Sequence, residues 1–547
     1  MKQKIYILTM ILFSNIVLFG QTPNWVWAKS AGSNYDDDGH SIITDIYGNI
    51  YITGDFENSI TFGSTTLTSS GGGGIFIAKY DPSGSVLWAK SAVGNGGNYS
   101  PIIIADTLGN IYLTGYFDTE FISFGNTTLN NSNNDGGTTD IFIAKYNSSG
   151  NIQWAQRAGG LGNDWSNSLI SDKNGNIYIT GAFNSDTITF GSITLANATT
   201  LGYPDIFITK YDSNGNVIWA QRAGGNDYDG SYSIISDAND NIYITGAFYS
   251  PSISFGSTIL TQTGGGDIYI AKYNSVGNVL WAKSIYGTGN DVSNNISIDT
   301  QGNLYFSGYF KNSVITFGDT TLSNIGGSLN IFIAKCDSSG NVLWARNIQG
   351  HDWDIGKSCT DKNDNAYLAG FFFNDTITFD NNTFLTNAGG SDIFIAKYDS
   401  NGNVIWAKSV GGVNIDGVSS ITSDMNGNIF VTGAFFSDFI TFGGTTLSNV
   451  GGADVFLAKL GSSIGICEIR SENSVVVFPN PTNNSFTLSV PPATKQIHIL
   501  NSLGQIVQRK IVDRQTSLNF EIKENGIYFI QITTEKQTLT KKIIVTN

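Results

Sequence analysis

The chain has 547 residues, 13% of them charged, with 64 Gly and a formal net charge of −15. Hydrophobic residues make up 40% and aromatics 12%, which supplies a sizeable core and excludes a disordered chain. The acidity lies in residues 21–470, with 19 Lys and Arg against 39 Asp and Glu, and such a body repels polyphosphate and disfavours nucleic-acid partners.

The N-terminus reads as a secretory signal. Lys2 and Lys4 form a charged start, and Ile5 to Phe19 form a mostly apolar run. The run is short of the roughly 20 residues that a membrane helix needs, and no other stretch approaches that length. Gly20 then offers a small residue before Gln21, so cleavage is expected near Gly20 and Gln21, leaving residues 1–20 as a signal peptide. With no Cys after the run, no lipid anchor is expected.

From Trp27 onward the chain repeats. Trp27, Trp88, Trp154, Trp219, Trp281, Trp344 and Trp406 stand 61 to 66 residues apart. Three further signatures recur with them: Gly-Asn-Ile-Tyr-Ile-Thr-Gly near Gly181, Ile-Thr-Phe-Gly near Gly191, and Asp-Ile-Phe-Ile-Ala-Lys-Tyr at 140–146. The apolar pieces are short, β-branched or aromatic, and bounded by turn residues, so each is a strand. The Asp-Ser-Asn-Gly-Asn type of segment at 212–216 is a tight turn. Four antiparallel strands per period, repeated radially, make a propeller blade.

The ends of the repeat predict how it closes. A lone Trp strand at 25–29 precedes every other blade strand, and the strand at 455–459 has no Trp strand after it. The first strand should complete the last blade and remove the free edges. The fold class expected is all-β: a seven-bladed propeller over residues 21–460.

These units resemble the bacterial β-propeller repeat family known by the initials SBBP. The resemblance covers roughly residues 24–460 and implies a fold and an extracellular habit, not a reaction.

Beyond Leu460 the composition shifts. Residues 461–474 read as a linker, and residues 475–547 as a small β-sandwich, Ig-like, of about seven strands. Its segments Pro479-Asn480-Pro481, Gly526-Ile527-Tyr528 and Lys541-Lys542 resemble the C-terminal sorting domain of the type IX secretion system. That resemblance implies export across the outer membrane of Bacteroidetes-type bacteria, the type IX machinery as partner, and a secreted or surface-attached product with no transmembrane segment.

Catalytic constellations are sparse. His40, His351 and His498 lack a neighbouring nucleophile motif and read as surface residues. Cys336 stands where the repeat has Tyr, and Cys359 lies in an alternating strand; both read as core residues. The glycine runs 71–74 and 264–266 read as flexible turns, because no Lys-Ser or Lys-Thr follows them. The Asp-rich turns lack the twelfth-position Glu of an EF-hand.

The loops entering each blade carry acid: Asp37, Asp164, Asp227, Asp229, Asp291, Asp352, Asp354 and Asp416. They emerge on one face together with the long connections, and loops on a rigid scaffold are where binding resides. Two readings stand beside each other there. The acids cap turns, or they bind cations such as calcium while nearby aromatics (Trp165, Tyr228, Trp353) bind glycans. An adhesion or structural scaffold is the leading function, without a cofactor. A polysaccharide hydrolase or lyase is the alternative, and it would show as one blade breaking the pattern with clustered acid and base.

Overall fold

The computed structural model describes residues 22–461 and 476–545, apart from 96, 98, 134–136, 312–313, 325–328, 351–356, 374, 479–481, 483, 491–493, 503, 513–514, 516 and 535–537. The expected signal peptide with Gly20 and Gln21, the residues Asp352, Trp353, Asp354 and His351, and the Pro479-Asn480-Pro481 segment lie outside the described residues. The chain divides into two units between Ser463 and Ile464.

The first unit contains seven antiparallel blades among the described residues. Blade 3 shows the plan. Its inner strand Asp164–Ser171 pairs with Ile177–Phe183, which pairs with Asp205–Tyr211, which pairs with the outer Trp strand Val217–Ala223. Strands two and three are buried at every position, because both faces of the sheet pack on neighbouring blades. The turn between strands one and two is built by its own aspartate. Asp172 Oδ1 accepts the amides of Asn174 and Asn176 at 2.9 Å, and Oδ2 accepts Asn176 Nδ2 at 2.8 Å. Gly175 supplies the positive φ of 75° that this turn requires.

Closure occurs as the strand order predicts. Trp25–Ala31 pairs antiparallel with Asp454–Leu460, placing Ala28 opposite Ala458. The inner strands pack side by side in sequence, and Asp416–Ser423 of blade 7 packs against Asp37–Thr44 of blade 1. One side-chain bond marks several of these contacts. Ile234 N donates to Ser168 Oγ, Ile296 N to Ser233 Oγ, and at the closing junction Ile42 N to Ser420 Oγ.

Trp88, Trp154, Trp219 and Trp344 each join two blades through the indole N–H. Trp154 Nε1 donates to the carbonyl of Ser213 in the next blade at 3.3 Å, and Trp344 Nε1 to Ser400 at 3.0 Å. The ring also lies against the tyrosine of its own second strand, with Tyr178 and Trp219 centroids 6.0 Å apart. Such edge-to-face pairs contribute about 0.5–1.5 kcal/mol beyond area burial. The strand-three lysine stands over the same tyrosine: Lys210 Nζ is 4.7 Å from the Tyr178 centroid and 3.6 Å from Asp172 Oδ2.

Two connections differ from the sequence reading. Ile-Thr-Phe-Gly does more than connect: Thr187–Phe190 forms a hairpin with Ile193–Ala196, and Ile188 and Phe190 are buried. The hairpin meets the outer strand of the preceding blade, through Thr189 and Gly159 in blade 3 and Ser123 and Val93 in blade 2. Residues 71–74 are not a flexible turn but part of the strand Thr65–Tyr80. A Cβ on Gly71 would stand 2.4 Å from the Gly94 carbonyl oxygen, so glycine serves close backbone approach there.

The second unit is a sandwich. Val476–Phe478, Ser485–Ser489 and Ser517–Glu521 form one sheet. Ile506–Ile511, Thr494–Leu500, Gly526–Thr534 and Thr538–Val545 form the other. Phe486 and Leu488 of the first share a core with Ile497, Ile499, Ile530 and Ile532 of the second. Gly526 opens a central strand of the larger sheet, Tyr528 is buried with its hydroxyl donating to the Glu524 carbonyl at 3.0 Å, and Lys541 and Lys542 pair with Ile530 and Phe529.

Candidate functional site

The inner strands begin on the face that carries the hairpins and the interblade loops; the opposite face carries the tight turns. Asp37, Asp164, Asp229, Asp291 and Asp416 are the first residues of their inner strands, and all are fully buried. Three of them bind their loops in the same way. Asp164 Oδ2 accepts Gly160 N and Ser185 Oγ at 2.8 Å, Asp229 accepts Gly225 N and Ser250 Oγ, and Asp416 accepts Gly412 N and Ser437 Oγ. Asp227 is half-buried, and its Oδ1 accepts the Tyr228 amide at 2.7 Å.

A second set of buried aspartates escapes sequence reading. Asp140, Asp205, Asp267, Asp392 and Asp454 open the third strands, and each stands near the inner-strand aspartate of the next blade. Asp140 and Asp205 are held by Arg157 and Arg222 at 2.7 Å. Asp267, Asp392 and Asp454 accept the amides of Thr263, Ala388 and Val450. Burial raises these carboxyls: Asp164, Asp229 and Asp291 to about 7, Asp37 to about 8, and Asp454 to about 6. Their recurrence in the Asp-Ile-Phe signature was the available signal.

With those acids turned inward, other side chains face the axis. Each described inner strand except those of blades 2 and 6 skips one residue in its ladder: His40, Asn167, Tyr232, Asn294 and Ser419. Bulges of this kind re-aim side chains beside sites. The preceding pairs also differ between blades: Asp38 with Asp55, Trp165 with Ala182, Gly230 with Ala247, Val292 with Tyr309, and Gly417 with Ala434.

These positions form two unlike groups. In blades 4 to 6 aromatic residues stand at or beside them. Tyr228 and Tyr249 meet edge-on at 5.8 Å, the Tyr228 and Tyr232 hydroxyls are 3.3 Å apart, and Phe371 and Phe373 are 5.8 Å apart. Burial, with the Tyr228, Tyr249 and Tyr309 hydroxyls around it, raises the Tyr232 hydroxyl far above its ordinary value. In blade 1 they are ionisable. His40 is not a lone surface residue: its Nε2 is hydrogen-bonded to Asp55 Oδ1. Burial opposes its charge, but the bond and the carboxylates Asp55 and Asp38 outweigh it and raise the imidazole pKa. Asp38 is raised by burial and by Asp55.

Among the described residues Cys336 and Cys359 are both free, with Cys336 fully buried and Cys359 half-buried, and Cys467 lies outside them. Burial pushes the Cys336 thiol up to about 12.

Known proteins bear on both units. Residues 18–55 and 153–185 match the family described as beta-propeller repeat, SBBP, and residues 476–546 match the secretion system C-terminal sorting domain. The chain thus carries SBBP-type β-propeller repeats and a type IX secretion C-terminal sorting domain. The sorting domain marks the propeller as exported. Among curated proteins, it is 28% identical over 468 residues to the uncharacterized WD repeat-containing protein L264 of Acanthamoeba polyphaga mimivirus, covering 70% of this chain and 33% of that one. It is 26% identical over 409 residues to the regulatory protein FlaEY of Caulobacter vibrioides, covering 70% and 41%. The propeller chain thus spans between a third and about two fifths of those relatives. Among solved structures, the WD40 propeller domain of Doa1 is 10% identical with a TM-score of 0.38, covering 79% of this chain and 97% of that one. The Neurospora crassa Pan2 WD40 domain is 10% identical with a TM-score of 0.37, covering 80% and 98%.

Proposed function

We propose that this protein is a secreted or surface-attached binding scaffold whose axial end, on the loop face, takes up an extracellular saccharide. The observation that carries the reading is where the repeats disagree. Ile-Tyr-Ile-Thr and Ile-Phe-Ile-Ala-Lys recur almost unchanged, because they form the blade cores. The positions at the loop-face ends of the first and second strands change from blade to blade and include Trp165, Tyr232, Tyr309 and Phe371, all half-buried. Half-buried aromatics with polar tips suit sugar rings, which offer an apolar face and hydroxyls together. Adhesion follows if the sorting domain leaves the propeller at the cell surface.

A polysaccharide-cleaving reading finds one supporting observation, the His40, Asp38 and Asp55 group that sets blade 1 apart. An array of polysaccharides run beside an assay for released product separates the two. Saturable binding without product supports the scaffold, and product that disappears in His40→Ala supports the enzyme. Absence of both would overturn the saccharide reading.

A further inference from the structure

Blade 1 breaks the repeat in a manner that costs stability. Asp38 stands directly opposite Asp55 in the strand pair, and like charges so placed are destabilising. The other described pairs at this position are uncharged: Trp165 with Ala182, Gly230 with Ala247, Val292 with Tyr309, Gly417 with Ala434. One imidazole, His40, serves two carboxylates, and it is bonded to Asp55. Asp38 is therefore left half-exposed, with Asp36 as a further acidic neighbour. A local rule broken without structural return marks a functional position.

The surroundings define what would fit. On the blade 2 side stands Tyr116, half-buried and close enough to Asp55 for that carboxylate to raise its hydroxyl, after burial itself. On the blade 7 side the residues are small, Gly417 and Ala434. The Phe371 ring of blade 6 reaches over Gly417, 3.6 Å from where a Cβ would stand, with Phe373 against it. The result is an anionic corner with a small-residue gap on one side and aromatic rings beyond it and opposite. Among the described residues no three acid, imidazole or thiol groups are arranged to hold a metal ion. Carboxylates beside aromatic faces instead recognise organic cations, by ion pairing and by attraction to the ring quadrupole.

We propose that the blade 1 corner binds a protonated amine, with the ammonium group donating to the Asp38 and Asp55 carboxylates and the attached carbon frame lying against Tyr116 or Phe371. His40 acts as a positioning residue that fixes Asp55. The inference rests on the saccharide reading above and gives that saccharide its chemistry, an amino sugar. A linear polyamine presents the same group, so the test carries both.

Titration calorimetry of the full secreted chain with a glucosamine tetramer, the N-acetylated tetramer and spermidine decides. The amine tetramer should bind at least about tenfold tighter than its acetylated form. Asp38→Asn should abolish that preference while the melting temperature holds or rises, since it removes a like-charge contact; Asp55→Asn should abolish it too, with the melting temperature lowered by loss of the His40 bond. Spermidine binding lost in the same variants, without tetramer binding, would assign the corner to linear amines. Equal affinity for both tetramers, or a preference that survives Asp38→Asn, would overturn the inference while leaving the saccharide reading intact. Binding of none of the three probes would overturn the inference too, and the polysaccharide array then judges the saccharide reading separately.

Discussion

Trp27, on the first strand, stands opposite Lys459, on the last propeller strand, and this pairing shuts the ring. Trp27 lies against Phe430 at 6.2 Å, and the turn glycine Gly84 of blade 1 sits under its ring. The first strand therefore contacts both blade 7 and blade 1. Trp27→Ala should cost about 2 kcal/mol, less than a fully buried Trp because the ring is only half-buried. Removing residues 22–31 should cost far more, since Asp454–Leu460 becomes a free edge. Thermal unfolding checks both, and a synthetic peptide of those residues should restore the melting temperature of the shortened chain.

The buried carboxyls make stability pH-dependent with a definite sign. Their folded pKa values, about 6 for Asp454, about 7 for Asp164, Asp229 and Asp291 and about 8 for Asp37, lie above the ordinary 3.8. Protons thus favour the folded ring. That stabilisation is fully present below pH 3.8 and is lost as pH rises through 6 to 8. The turn carboxyls Asp212, Asp237 and Asp337, held low by amides and asparagine side chains, act oppositely below the ordinary value. The melting temperature should therefore peak in mild acid and fall by several degrees towards pH 8. Asp229→Asn should flatten part of that fall.

Cys336 interrupts a column of tyrosines formed by Tyr80, Tyr146, Tyr211, Tyr273 and Tyr398. A cavity of about 340 Å³ opens beside it, lined by Trp281, Phe306 and Val342 among others. Cys336→Tyr should fill part of this space and raise stability by about 1 kcal/mol, the phenol hydroxyl limiting the gain if it finds no partner. Chemical denaturation of the single variant measures it.

Two glycines give a contrast. A Cβ on Gly159 would stand 2.1 Å from Asp140 Oδ1, inside the junction that Arg157 also holds, whereas a Cβ on Gly444 meets nothing within 4 Å. Gly159→Ala should lose about 2–3 kcal/mol by displacing a buried carboxylate. Gly444→Ala should be neutral or gain about 0.5 kcal/mol. Paired denaturation curves distinguish them.

The fold was legible because its physics is periodic. The tryptophan spacing, the Asp-Gly turns and the orphan strand at Trp27 each recur or complement one another along the chain. The site was less so. Asp164 and Asp229 look like surface acid in sequence, and nothing local says that the Ser185 and Ser250 hydroxyls will meet them in the folded blade. His40 looks isolated because Asp55, its partner, lies across a strand pair. The two-versus-one bulge that isolates Tyr232 from its ladder leaves no sequence mark. The readable sign was the reverse of a motif: the axial positions are those where the repeats disagree.

One affinity comparison tests whether the axial aromatics hold a saccharide. The saccharide retained most strongly on the array should be titrated into the native chain, a Tyr232→Ala, Tyr309→Ala double variant, and Tyr286→Ala, which alters an exposed tyrosine near the end of an outer strand. The double variant should lose about tenfold or more in affinity, with Tyr286→Ala unchanged. Native affinity in a folded double variant, or loss in Tyr286→Ala alone, would contradict the saccharide reading.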